Sequence, residues 1–156
     1  MLSRPQRSGN NGKAIIMKIL LPVDGSDYTT RMLDYLAAHP EWFGPAHEYT
    51  ALTAVPAITA HAARFVSRAD CEAFYRDTAE EVLAPVRAFA ERQGWRIECR
   101  HVAGHAPEAI AAFARQHGAE VLVMGSHGRS ALSNVVLGSV TTGVLARCAV
   151  PVLLIR

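Results

Sequence analysis

The sequence predicts an α/β fold: a five-stranded parallel sheet sandwiched by helices in three layers. Three observations carry this. Short apolar runs alternate with stretches of helical periodicity along the chain, in the order β-α-β-α-β-α-β-α-β. Strands that alternate with helices imply parallel pairing through right-handed crossovers. The first run, Ile15 to Val23, is almost unbroken apolar sequence, as expected of a strand covered on both faces.

Size and charge narrow the classes. The chain has 156 residues, enough for one domain with a real core. Half of it is apolar and 19% charged, with a net charge of +2 and no block of Lys or Arg. That balance gives no footprint for nucleic acid. The apolar runs fall short of the ~20 residues of a membrane span. Cys71, Cys99 and Cys148 form an odd set without a close pair, which fits a reducing, cytoplasmic compartment and no zinc spacing. Residues 1–16 read as a poorly ordered extension with no signal-peptide core, and Met17 opens a domain over 17–156.

Each element has a local reason. Asp24-Gly25-Ser26-Asp27 breaks the first strand, with Ser26 as a helix cap and Asp27 in the first turn. Met32, Leu33, Leu36 and Ala37 then recur at helical spacing until His39-Pro40. Glu48 to Val55 is the second strand, stopped by Pro56, and residues 57–68 are a loop with some helical character. Asp70 to Gln93 is a long helix burying Phe74, Ala79, Val82, Leu83, Val86, Phe89 and Ala90, with a kink or break expected at Pro85 and a cap at Gly94. Trp95 to Val102 alternates, Trp95, Ile97, Cys99 and His101 against Arg96, Glu98, Arg100 and Val102, which marks an edge strand. Residues 107–117 form the third helix, Glu120 to Met124 the fourth strand, Ser139 to Cys148 the fourth helix and Val152 to Ile155 the fifth strand.

The chemistry concentrates around the fourth strand. Its run ends in Gly125-Ser126-His127-Gly128-Arg129, and nine residues separate Gly128 from Gly138, which opens the last helix. Bare backbone at two turns, hydroxyls on Ser126, Ser139 and Thr141, and a helix start make an anion cradle. Gly125, Gly128 and Gly138 can each take φ > 0 and let a phosphate approach. The alternative is two ordinary turns. No Gly-x4-Gly-Lys-Ser/Thr loop occurs, and no Gly-x-Gly-x-x-Gly follows the first strand. In a parallel sheet ligands bind beyond the carboxyl ends of the strands, where strand order reverses. If strands one and four are neighbours, Asp24 and the glycine stretch line one crevice. Asp24 there suits ribose hydroxyls or an adenine edge; its other reading is a cap for the Ser26 and Asp27 amides. His127 could meet a phosphate or a metal-bound water, or be a polar loop residue, and Arg129 could pair phosphate or be a solvated charge.

Leu20-Leu21-Pro22-Val23-Asp24-Gly25-Ser26, Ala54-Val55-Pro56, Val123 to Arg129, Gly138-Ser139-Val140-Thr141 and Val150 to Ile155 together resemble the universal stress proteins over residues 17–156. The Gly-x2-Gly-x9-Gly-Ser pattern is the one that marks ATP-binding members of that family. The resemblance implies an adenine nucleotide alpha-hydrolase-like fold with strand order 3-2-1-4-5. It implies ATP, with Mg²⁺ or Mn²⁺ bridging phosphates. Asp24 and the backbone near Val55 would meet the adenine and ribose end, with Pro22, Val23, Ser26 and Met124 near the nucleotide. Gly125, Ser126, His127, Gly128 and Arg129 would wrap ribose and phosphates, and Gly138, Ser139, Val140 and Thr141 would hold phosphates. It further implies a homodimer through Val152–Ile155; the other reading of that strand is an inner one covered by the N-terminal extension.

The function expected is a nucleotide-dependent regulatory or stress-response module. A slow ATPase or a phosphoryl or nucleotidyl transferase at the same site is the enzyme alternative, with His127 and Arg129 the nearby candidates. A scaffold that merely dimerises is the third. The sequence holds no triad, no paired carboxylates and no nucleophile with an adjacent base, so no catalytic residue and no protein metal ligand is assigned.

Overall fold

The structure, a computed structural model, describes residues 15–129 and 136–156. In chain order the elements are β1 (Lys18–Pro22), α1 (Asp27–Ala38), α2 (Pro40–Phe43), β2 (Glu48–Val55), a 3-10 turn (Ala62–Arg64), α3 (Arg68–Gln93), β3 (Ile97–Ala103), α4 (Ala106–Gln116), β4 (Val121–Gly125), α5 (Ser139–Leu145) and β5 (Val152–Ile155). The five strands form one sheet in the order β3-β2-β1-β4-β5, with every pairing parallel. This is the expected fold and strand order, with β3 and β5 at the edges.

Two cores cover the two faces. On one, Ile19, Leu21, Val23, Ala51, Val55 and Val123 pack under Met32, Leu33 and Leu36 of α1 and Ala79, Val82, Leu83 and Val86 of α3. On the other, Leu20, Leu52, Leu122 and Met124 pack under Ile110, Phe113 and Ala114 of α4 and Val144 of α5. Successive strand residues thus point to opposite layers, and both layers are apolar. That is why the strands read as continuous runs.

Several local expectations are corrected. β1 begins at Lys18, where pairing to Glu48 starts; Ile15 and Ile16 precede it and are exposed. The N-terminal extension otherwise lies outside the described residues. Pro40 both ends α1 and opens a further short helix, because its ring suits a first turn. α3 runs unbroken past Pro85, which removes one backbone bond from the ladder while Val82, Leu83 and Val86 stay buried around it. Phe74 is exposed, since the buried stripe of α3 starts only at Ala79. β3 starts at Ile97 and alternates only as far as Arg100; His101 is exposed and Val102 packs toward the α4 and α5 layer. α5 stops at Leu145, short of Cys148. Gly94 caps α3 in the left-handed conformation, φ 69°, its N–H donating to the carbonyls of Ala90 and Glu91.

Candidate functional site

β1 and β4 lie side by side, with Ile19 opposite Val121 and Leu20 opposite Leu122. The chain leaves β1 toward β2 on one side and returns as β4 on the other, so strand order reverses between them. Beyond their carboxyl ends lies a cavity of about 580 Å³. Its wall is apolar at Pro22, Val23, Leu52, Ala54, Ala106, Ile110 and Met124, and polar at Asp24, Thr29, His127, Arg129, Ser139 and Thr141, with Gly125, Gly128, Gly138 and Val140 between. A largely apolar wall with a few polar groups is the pattern of a small-molecule site.

Gly25, at φ 73°, turns the chain out of β1 so that Asp24 faces the crevice. The Asp24 Oδ1 accepts the Ser26 amide at 3.0 Å and the Thr29 hydroxyl at 3.0 Å; Oδ2 accepts the Arg129 amide at 3.1 Å. Ser26 does occupy the cap position of α1, but its own hydroxyl makes no capping bond, and its Oγ is buried without a partner among the described residues. The Asp24 carboxylate does not replace that bond, because the amide it accepts is that of the cap residue itself. It holds the Ser26 amide, and no bond to the Asp27 amide is present among the described residues.

The three glycines differ from the expectation about φ. None of Gly125, Gly128 and Gly138 lies at positive φ. Each is bare because something stands where its Cβ would be. At Gly125 that is Tyr28 Cβ, 2.6 Å away; at Gly128 it is Asp24 Oδ2, at 2.5 Å; at Gly138 it is His127 Cα, at 3.1 Å, with the Ser126 carbonyl at 3.4 Å. The motif in this chain makes room for protein atoms first. It lets two turns and the start of α1 close on one another.

The turns are stitched together. Gly138 N–H donates to the Ser126 carbonyl at 2.8 Å, and the Thr141 hydroxyl donates to the Gly125 carbonyl at 3.1 Å. The first helical bond of α5 runs from the Thr142 amide to the Gly138 carbonyl. The amides of Ser139, Val140 and Thr141 therefore precede the ladder, and a glycine cap offers them no side chain. All three residues line the cavity.

The expected hydroxyl set splits. Ser139 is exposed at the cavity wall, whereas Thr141 is buried and spent on Gly125. Ser126 is 1% exposed, is hydrogen-bonded to His127 Nδ1 at 3.0 Å and does not line the cavity. The His127 ring lies 5.1 Å from that of Tyr28. The Arg129 guanidinium lies over Gly25.

Of the other expected positions, Pro22, Val23, Met124 and Val140 line the cavity, while Ser26 and Val55 do not. The Val55 side chain belongs to the α1 and α3 core, and its carbonyl accepts the Gly104 amide at 2.9 Å. Leu52, Ala54, Ala106, Ile110 and Thr29 were not read from the sequence. Apolar residues at a cavity wall carry the same signal as apolar residues in a core. Thr29 could have been found, being five residues after Asp24 and in the first turn of the helix that follows it.

Among the described residues no group of three or more His, Cys, Asp or Glu could hold a metal ion. Among them, too, no helix is long and apolar enough to cross a membrane.

Comparison with known proteins agrees with this architecture. The family model described as "Universal stress protein family" matches residues 16–156. Universal stress protein MJ0531 of Methanocaldococcus jannaschii is 26% identical over 150 residues, covering 94% of this chain and 85% of that protein. Universal stress protein Slr1230 of Synechocystis is 38% identical over 79 residues, covering 51% of this chain and a quarter (25%) of that protein's length. Among solved structures, hypothetical protein MJ0577 superposes with a TM-score of 0.70 at 24% identity, covering 91% of this chain and 96% of that one. A universal stress protein in complex with cAMP gives 0.66 at 23% identity, covering 90% and 97%. The universal stress protein of Archaeoglobus fulgidus in complex with dAMP gives 0.64 at 22% identity, covering 92% and 100%.

Proposed function

The chain belongs to the universal stress protein family, and on that premise we propose that it is an adenine-nucleotide-binding regulatory module. The observation that carries this is the glycine-capped start of α5. Three backbone amides without intrahelical partners belong to residues that line a cavity walled by both polar and apolar side chains. α5 has seven residues, so its dipole is small; the local N–H groups do the binding. Phosphate oxygens accept from the Ser139, Val140 and Thr141 amides and from the Ser139 hydroxyl, with Arg129 nearby to neutralise charge. The base lies between Leu52, Ala54, Ala106, Ile110 and Met124. Relatives of the same fold bind cAMP and dAMP, which supports an adenine ligand.

ATP is the ligand we assign, with Mg²⁺ or Mn²⁺ between its phosphates. Such an ion takes oxygen ligands from phosphates and water, so it does not require a dense protein ligand set. The module is a cytoplasmic homodimer through β5, and occupancy of the cavity alters the surface it presents to partners. β5 supports the dimer by being a sheet edge that, among the described residues, pairs only with β4.

Two measurements test the reading. Nucleotide released by denaturing the purified protein is expected to be an adenine nucleotide, identified by mass. Titration calorimetry with ATP-Mg is expected to give a saturating heat at one site per chain. Absence of both at high protein concentration overturns the proposal.

A further inference from the structure

We propose that Asp24 is a positioning residue whose carboxylate clasps the Gly128–Arg129 turn onto the end of β1, and that residue 128 is glycine because this carboxylate fills the space of its Cβ. The inference deepens the reading of the site above and rests on it for the identity of the ligand.

Three donors converge on the carboxylate. The Ser26 amide and the Thr29 hydroxyl both reach Oδ1 at 3.0 Å. The same hydroxyl oxygen accepts the Asp24 amide at 3.2 Å, and Thr29 is 7% exposed. Asp24 is thus held from the α1 side by a buried, doubly bonded group, which fixes where Oδ2 points. It points at the turn beyond β4, where the Arg129 amide, 105 residues along the chain, donates to it at 3.1 Å. A carboxylate has about four acceptor sites, so three donors nearly saturate it. Bonds of this type are charge-assisted and among the stronger ones.

The clasp accounts for the glycine. A Cβ on residue 128 would lie 2.5 Å from Asp24 Oδ2 and 3.6 Å from its Cγ, and among the described residues, chain neighbours aside, no other atom comes within 4 Å. The φ of Gly128 is outside the left-handed region, so the backbone there accepts an L-residue. The carboxylate is therefore the sole obstacle among the described residues. On this account alanine at 128 is harmful only while Asp24 keeps its carboxylate. If Gly128 is bare to admit a phosphate, alanine is harmful whatever stands at 24.

A double-mutant cycle separates the two. Gly128→Ala is made in the wild-type chain and in Asp24→Ala, and each protein is followed by urea unfolding without nucleotide and by calorimetry with ATP-Mg. In the wild-type background Gly128→Ala is expected to lower the folding equilibrium constant and the ATP affinity each by about tenfold; in the Asp24→Ala background it changes neither by more than about twofold. Equal losses in both backgrounds overturn the proposal. Amide exchange supplies a direct signature. In nucleotide-free protein Asp24→Ala is expected to speed exchange at Arg129 by about tenfold, with Thr29→Val giving a smaller rise in the same direction. Unchanged exchange at Arg129 also overturns it. Asp24→Ser, too short to reach residue 128, replaces alanine if that variant fails to fold. If no variant and no wild-type protein binds ATP, the functional reading fails by itself, and unfolding and exchange still decide the clasp.

Discussion

Tyr28 and Gly125 meet at the floor of the crevice, where a Cβ on Gly125 would stand 2.6 Å from the Cβ of Tyr28. The contact is between the first turn of α1 and the last residue of β4, and neither atom is the far end of a flexible side chain. Gly125→Ala is therefore expected to push α1 from the sheet and destabilise the fold by roughly 1–3 kcal/mol, as overpacking does. Urea unfolding of the nucleotide-free variant measures this. A stability equal to wild type would mean that α1 gives way without cost.

Gly138→Asp acts differently. Its Cβ comes to 3.1 Å from His127 Cα, a tight but smaller intrusion. Aspartate is a good helix cap, and its carboxylate would take the amides proposed for phosphate. The ATP affinity is expected to fall by about tenfold, given roughly 0.5–2 kcal/mol for a side-chain cap on such amides. Thermal unfolding should move by only a few degrees. Calorimetry showing unchanged affinity would remove the α5 amides from the binding site.

A pH effect is expected far from the cavity. The Tyr49 hydroxyl is buried, donates to the Phe43 carbonyl at 2.6 Å with the Gly44 carbonyl at 3.1 Å, and its ring stacks on Trp95. Burial pushes the Tyr49 phenol well above its usual range. The folded state thus favours the neutral form. This contribution is complete below about pH 10, the unfolded value, and is lost as pH rises above it toward the folded pKa. Tyr49→Phe is expected to cost about 1 kcal/mol at neutral pH and to flatten the alkaline decline in stability. Parallel wild-type and variant curves above pH 10 would contradict the assignment.

The proposed dimer makes a prediction about backbone. The Pro151 and Ile155 carbonyls accept from the Leu122 and Ser126 amides, so alternate residues of the strand face β4. Val152 and Leu154 consequently turn their N–H and C=O groups to the open edge. Val152→Pro removes one outward donor at the first residue of the strand, where proline is tolerated. Light scattering is expected to show the dimer weakened by about tenfold, a loss of roughly 1–2 kcal/mol per edge bond pair, with the fold retained. An undiminished dimer would place the interface elsewhere.

How far the sequence reached depends on the residues concerned. The parallel sheet was legible because both faces of its inner strands are covered, so β1 and β4 read as short apolar runs between helices, whereas the strand order came from the family resemblance. The polar part of the cavity wall was legible because Asp24, His127 and Arg129 sit in turns and Ser139 at a helix start. The apolar part was not: Leu52 and Ile110 look like any core residue until the strand ends are placed. Phe74 misled because helical periodicity does not tell how far a helix extends past its sheet. The reason for each glycine was hidden most completely. Gly128 answers to an oxygen on residue 24, and a linear reading finds no partner at that distance along the chain.

The Ser126 amide donates to the carbonyl of Ile155 at 2.7 Å. Through it the turn after β4 grips the terminal residue of the outermost strand. Any displacement of that turn as the hollow fills is handed over one hydrogen bond to the rim of the sheet. On the proposed reading, a nucleotide in the cavity would have a short mechanical lever on the margin where a second copy of the chain would dock.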